Sequence, residues 1–217
     1  MADVKNKICL LTDLQCFANI DYYSTLESYD VLQFEQYEHY QKRTYANRYY
    51  IAGPNGRLLL TVPLLHNRRE RTAVRDLRIC NRDRWQALHW KTLLSAYRRS
   101  PWFEFYESEL SVMYNKKYEY IWDWNWAAFE MVRGWLGKSW AVSLTASYEK
   151  TPDGSQVVDA RHRIVPPAAE APLSENGRRY PQVFADRNGF IPGLSILDLL
   201  FCEGKHAGRF LAVAGGG

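Results

Sequence analysis

The densest gathering of reactive side chains runs from Glu35 to Arg48: Glu35, Glu38, His39, Tyr40, Lys42, Asn47 and Arg48. A carboxylate, an imidazole, an ammonium and a guanidinium within fourteen residues could carry out proton transfer beside an anion. Glu35 or His39 suits a general base, because burial tunes either group toward neutral pH. Lys42 and Arg48 suit a carboxylate or phosphate, Arg48 through its two-pronged fork. By spacing alone, a solvated loop with surface ion pairs is the stronger reading of the same residues.

Other reactive groups are weaker candidates. Cys16 with His39 or His89 would make a thiol–imidazole pair, but nothing in the spacing brings them together. His89 lies on the helical face of Trp85 and Leu93, where a satisfied core histidine is expected. The arginines from Arg68 to Arg84 could meet a pyrophosphate, yet they lack the glycine-rich backbone that cradles phosphate. There is no GxGxxG, P-loop, HExxH or GxSxG pattern, so no cofactor is expected and no metal ligands are assigned.

The elements that must position these groups begin with two short apolar runs. Ile8 to Thr12 and Val31 to Phe34 read as buried strands. Between them Phe17 to Ser28 has near-helical apolar spacing, with Asn19 or Asp21 as its cap. Strand, helix and strand at this length form a βαβ unit with parallel strands. The Glu35–Arg48 cluster then lies beyond the carboxyl end of the second strand, where open α/β sheets bind ligands. Gly53-Pro54-Asn55-Gly56 separates two β-rich runs and reads as a hairpin whose Asn-Gly pair supplies the positive φ angles. A short strand is expected at Val74 to Ile79.

Helices follow at Arg84 to Arg98, from Pro101 through Tyr114, and from Asp123 or Asn125 to a left-handed cap at Gly137. Trp140 to Tyr148 alternates as a half-buried strand. Residues 151–179 read as one long loop, Ser195 to Phe201 as a short helix, and 211–217 as a frayed tail. The whole is an α/β fold in one compact domain over residues 1–217: N-terminal βαβ unit and β-hairpin, central helical segment, C-terminal strand and short helix.

Composition narrows the functional classes. A net charge of +4 is too mild for a nucleic-acid partner but admits an anionic small molecule or glycan. The 8 Trp and 15 Tyr suit a core edged by polar contacts, or a pocket for a ring-shaped ligand. Four scattered cysteines without CxxC spacing fit reduced thiols in the cytoplasm. No apolar run approaches a membrane span, and the N-terminus lacks a signal-peptide pattern. Oligomeric state is not legible.

Several segments, taken in order, resemble the WbqC-like family. They are LTDLQCFANIDYYSTLESYD, EQYEHYQKRTYANRYYIAGPNGRLLLTVPLL, AVRDLRI, RWQALHWKTLLSAYRRSPWFEFY and RYPQVFADRNGFIPGLSILDLLFCEG. The resemblance spans roughly residues 8 to 206. The family pattern has Gln-Pro where this chain has Gln15-Cys16, and it differs again at 68–71. The resemblance implies a bacterial accessory protein of surface-polysaccharide or O-antigen biosynthesis. It also implies acyl or aminoacyl transfer, with glycine as one transferred group. The alternative is a non-catalytic sugar-nucleotide-binding or scaffold protein of the same pathway. Gln15, Glu35, His39, Lys42, Asn47 and Arg48 are the positions the resemblance marks as a pocket. Gln15 and Asn47 would orient the substrate.

Overall fold

The computed structural model describes residues 8–65, 71–152, 154, 156–166 and 179–211. Its centre is a four-stranded parallel sheet built from β1 (Cys9–Asp13), β2 (Val31–Glu35), β7 (Ala141–Leu144) and β8 (Val157–Asp159), in the order β7-β2-β1-β8. The helix α1 (Ile20–Leu26) joins the first two strands, which completes the expected βαβ unit. Asn19 is its cap, with the side-chain oxygen accepting from the Tyr22 backbone N–H.

Alternation sorts the sheet's residues by face. Leu10, Leu32 and Phe34 are fully buried on one side. There Phe34 meets Phe129 and Trp126 of α4 (Ile121–Trp135), with ring centroids 4.8 and 5.8 Å apart. The opposite face carries Leu11, Gln33, Glu35 and Val157, which line a cavity instead of packing under a helix. Parallel sheets ordinarily bury both faces, and this cavity interrupts that covering beside the strand ends.

The hairpin pairs β3 (Arg48–Gly53) with β4 (Gly56–Thr61), Gly53 opposite Gly56. Its turn differs in register from the expected Asn-Gly centre. Pro54 and Asn55 occupy the two central positions, and only Gly56, with φ +107°, takes the left-handed conformation. Proline's fixed φ explains the shift, because it suits the first central position of an ordinary turn and bars a positive φ there.

A second two-stranded ladder pairs β5 (Leu64–Leu65) with β6 (Arg78–Ile79), and a short 3-10 turn at Val74–Asp76 precedes β6. The expected strand at 74–79 is thus half turn, half strand. The central helices are α2 (Trp85–Tyr97), α3 (Phe103–Asn115) and α4, and Gly137 closes the last with φ +64°. The C-terminal part adds α5 (Ala185–Asn188), α6 (Ile196–Glu203), capped by the Ser195 hydroxyl, and α7 (Gly208–Leu211).

Residues 151–179, expected as one long loop, contain β8. Its three residues are too few to show alternation, and the proline- and glycine-rich flanks mask them. The parts of that stretch at 153, 155 and 167–178, and the expected frayed tail from 212 onward, lie outside the described residues.

Most of the aromatic side chains are core. Trp124 is fully buried, with Phe17, Trp85, Tyr114 and Tyr118 around it at ring separations of 5.0 to 5.9 Å. His89 is the satisfied core histidine that the helical pattern suggested. Its Nδ1 lies 3.3 Å from the Tyr49 hydroxyl, which in turn meets the Tyr114 hydroxyl at 2.6 Å. Burial lowers its pKa to about 4, so the ring is neutral near pH 7.

Candidate functional site

Asp13 ends β1, Glu35 ends β2, and the two are direct partners in the sheet register. Phe34 pairs with Leu144, so the next residues, Glu35 and Thr145, are adjacent as well. Arg161 lies two residues beyond Asp159, the last residue of β8. A polar row therefore crosses the carboxyl edge of the sheet: Thr145, Glu35, Asp13, Arg161. This is the edge where open α/β sheets bind ligands.

Each charge in the row is individually managed. The Glu35 side chain is 1% exposed and that of Arg161 is 6% exposed, with the Glu35 Oε2 and Arg161 Nη1 atoms 3.5 Å apart. Glu35 Oε1 accepts from the Tyr37 backbone N–H at 2.7 Å and from the Thr145 hydroxyl at 3.1 Å. Its Oε2 accepts no hydrogen bond among the described residues.

Arg161 spends its donors elsewhere. Nε and Nη2 grip Asp159 at 3.0 and 2.7 Å, Nη1 donates to the Glu149 carbonyl at 3.0 Å, and Nη2 reaches the Lys150 carbonyl at 3.3 Å. The guanidinium also lies over the Tyr148 ring, 5.4 Å from its centroid. Arg161 thereby ties the segment after β7 to the ends of β2 and β8. Its hydrogen bonds hold the Asp159 carboxyl below the usual carboxylate range.

Beside this pair stands a carboxylate–imidazole array, with a second carboxyl, Asp13, on the backbone of the same histidine. Glu38 Oε1 and His162 Nε2 are 2.7 Å apart. A nitrogen facing a carboxylate at that distance carries the proton, which leaves Nδ1 as the second ring nitrogen. Nδ1 is buried and has no hydrogen-bond partner among the described residues. The Glu38 carboxylate holds the His162 imidazole above the usual histidine range, against the opposing pull of burial.

The His162 backbone N–H donates to Asp13 Oδ1 at 3.2 Å, and Gln15 Nε2 donates to Asp13 Oδ2 at 3.0 Å. Burial nevertheless raises the Asp13 carboxyl above its usual range, and the Gln15 hydrogen bond offsets only part of that. Gln15 also donates to the Ile164 carbonyl, which fixes its amide so that Oε1 is the buried, unpartnered atom. His162 has φ +55°. A non-glycine residue pays about 1–3 kcal/mol for such a conformation, and residues of this kind concentrate at functional sites.

The six positions marked by the sequence part company here. Glu35 and Gln15 stand in or beside the strand-end row. His39 is exposed and its backbone bridges to Ala73, and the imidazole that meets a carboxylate here is that of His162. Lys42 is exposed next to Gln41, whose amide nitrogen lies 3.4 Å from His162 Nε2. Asn47 is a buried brace: it donates to the Val62 carbonyl and accepts from the Tyr40 hydroxyl. Arg48 opens β3, half-buried, with its Nε lacking a hydrogen bond.

Cys16 is wholly buried, its Sγ accepting from the Trp124 indole N–H at 3.4 Å. Burial pushes the thiol up to about 12, which leaves it un-ionised and inert as a nucleophile near pH 7.

Sequence reasoning missed Asp13, Arg161 and His162. A usable signal existed for Asp13, the acidic residue closing the first apolar run. None existed for the other two, because β8 carries no periodic pattern. The cavity beside the row has a volume of about 230 Å³ and is lined by Glu35, Thr145, Ser147 and Glu149 over a floor of Leu11 and Val157. A larger hollow of about 420 Å³ lies between the hairpin tip and α2, where Lys91 is the one charged side chain in its lining among the described residues. Among the described residues, no group of three or more His, Cys, Asp or Glu is placed to hold a metal ion, and no helix is long and apolar enough to cross a membrane.

No curated protein and no solved structure matches this chain. A family model does, over residues 16–210, which takes in most of the 217-residue chain, including Glu35, Glu38, Arg161 and His162. The chain belongs to the WbqC-like protein family.

Proposed function

We propose that this protein is an acyl- or aminoacyltransferase of bacterial surface-polysaccharide assembly, glycine being one candidate acyl group, and that it works at the carboxyl edge of its parallel sheet. Family membership is consistent with a protein associated with polysaccharide biosynthesis. The observation that carries the chemical reading is the array in which Glu38 orients His162 and leaves Nδ1 without a partner. A base held by a carboxylate is the arrangement that acyl transfer requires to deprotonate an attacking amine or hydroxyl. In this reading His162 takes that proton and Asp13 fixes the loop that carries His162. Gln15 Oε1 accepts a hydrogen bond from the substrate. Lys42, at the rim beside Gln41, meets an anionic part of the donor.

The test replaces His162 with asparagine, which tolerates the left-handed backbone and lacks an imidazole. In cells whose own copy is deleted, the His162→Asn chain should fail to restore the modified polysaccharide, read by mass spectrometry of the glycan. Restoration at the wild-type level by a folded His162→Asn chain would overturn the proposal.

A further inference from the structure

The cavity beside the strand ends has a chemical sign. Its charged lining residues are both acidic, Glu35 and Glu149, and no Lys, Arg or His lines it among the described residues. Glu35 is 2% exposed, yet Oε2 has no hydrogen bond. Buried carboxylate oxygens are ordinarily satisfied, so one that is not points to an absent donor. The neighbouring guanidinium does not fill that role. Four of its hydrogen bonds go to Asp159, Glu149 and Lys150, and its Nη1 stays 3.5 Å from Oε2. Thr145, Ser147 and Gln33, whose side chains each carry an oxygen able to accept a hydrogen bond, line the same space. A volume of about 230 Å³ is below that of typical cofactor pockets, which begin near roughly 300 Å³. It suits one small group and not a nucleotide.

We infer that this cavity binds a primary ammonium group of the substrate, with Glu35 Oε2 as its principal acceptor. This rests on the reading of the strand-end row as the functional site, and it deepens that reading by separating two subsites. The cavity takes a cation, while any anionic part of a donor lies toward Lys42. The ammonium could belong to an amino sugar that accepts the acyl group, or to the aminoacyl donor.

Titration of the ¹⁵N-labelled full chain with glucosamine and with glycinamide tests this, N-acetylglucosamine and acetamide being the counterparts without an ammonium. The ammonium compounds should shift the amide signals of Gln33, Glu35 and the 145–149 segment, and the counterparts should leave them in place. A response to glucosamine alone assigns the ammonium to an acceptor sugar. A response to glycinamide alone assigns it to the donor. In either case Glu35→Gln should weaken binding about 10-fold or more, the worth of a hydrogen bond to a charged group. Equal responses to each compound and its counterpart, or no response at millimolar concentration, would overturn the inference, and this comparison stands even if Glu35→Gln does not fold. Ammonium binding in a chain whose His162→Asn variant still restores the glycan would support the subsite while removing the transferase reading. Loss of the glycan without ammonium binding would do the reverse.

Discussion

Replacing Arg161 by methionine separates a structural clamp from a surface charge. The side chain is 6% exposed; it donates to two carbonyls and the Asp159 carboxylate, and it faces the Glu35 carboxylate as an ion pair at 3.5 Å without a hydrogen bond. Methionine preserves much of the length and none of the donors. The cost has two unequal parts. Asp159 is 38% exposed, so losing that pair costs at most about 1 kcal/mol, as for other solvent-screened pairs. Glu35 has a side chain only 1% exposed, and stripping its cation strands a buried carboxylate. Removing one partner of a buried pair costs about 3–5 kcal/mol. Glu35→Gln should be much milder, about 1 kcal/mol, because Oε1 keeps both donors and Arg161 keeps Asp159.

For a domain of this length each kcal/mol moves Tm by about 2–4 °C, so a combined cost of about 3–6 kcal/mol should make Arg161→Met melt roughly 6–24 °C early. The double variant should be more stable than Arg161→Met alone, since no buried charge is then left unpaired. Urea unfolding followed by tryptophan fluorescence and circular dichroism gives all four corners of the cycle. Arg161→Met within about 1 kcal/mol of wild type, or equal costs for the two single variants, would refute the clamp.

Two further outcomes follow from buried groups outside the site. Asp198 is wholly buried in α6 and accepts from the Tyr97 and Tyr180 hydroxyls, each at 2.6 Å. Burial raises its carboxyl to about 6, so the folded chain holds this proton more tightly than the unfolded chain does. Its contribution to stability is therefore complete below about pH 4 and is lost as pH rises through 6, a change of roughly 3 kcal/mol at most. The wild-type stability curve minus that of Asp198→Asn should fall between pH 4 and 7, and parallel curves would contradict the assignment. Iodoacetamide applied to the native protein at neutral pH should leave Cys16 unlabelled in a peptide map, whereas unfolding in urea exposes it. Labelling of Cys16 in the folded state would refute its place in the core.

The elements with strong local signals are legible in the amino-acid order. Ile8 to Leu11 is an unbroken apolar run and 31–34 is broken only by Gln33, so both read as strands with at least one buried face, and Asn19 sits where a helix start wants a side-chain acceptor. The hairpin is legible too, although Pro54 moves its centre by one residue through its fixed φ. Strand β8 is not legible. Three residues carry no period, and their place in the sheet comes entirely from pairing with Cys9 to Leu11. With β8 hidden, Arg161 and His162 have no address, and the histidine nearest Glu35 in sequence, His39, stands in for the one whose imidazole meets the Glu38 carboxylate.

Local residue order dictates a βαβ core whose second strand delivers Glu35 to a carboxyl edge, because periodicity and apolar runs are properties of neighbouring residues. It also carries the family, through ordered segments along most of the chain. Which groups share that edge is a matter of tertiary contact alone. Asp13 meets His162 across 149 residues, and Glu38 meets it across more than a hundred. Such contacts depend on sheet order and strand register, which no spacing between adjacent residues encodes. The reactive cluster between Glu35 and Arg48 therefore comes apart in the fold: Glu35 turns inward against an arginine two residues past the far edge strand, Asn47 becomes a brace, and His39 stays in solvent.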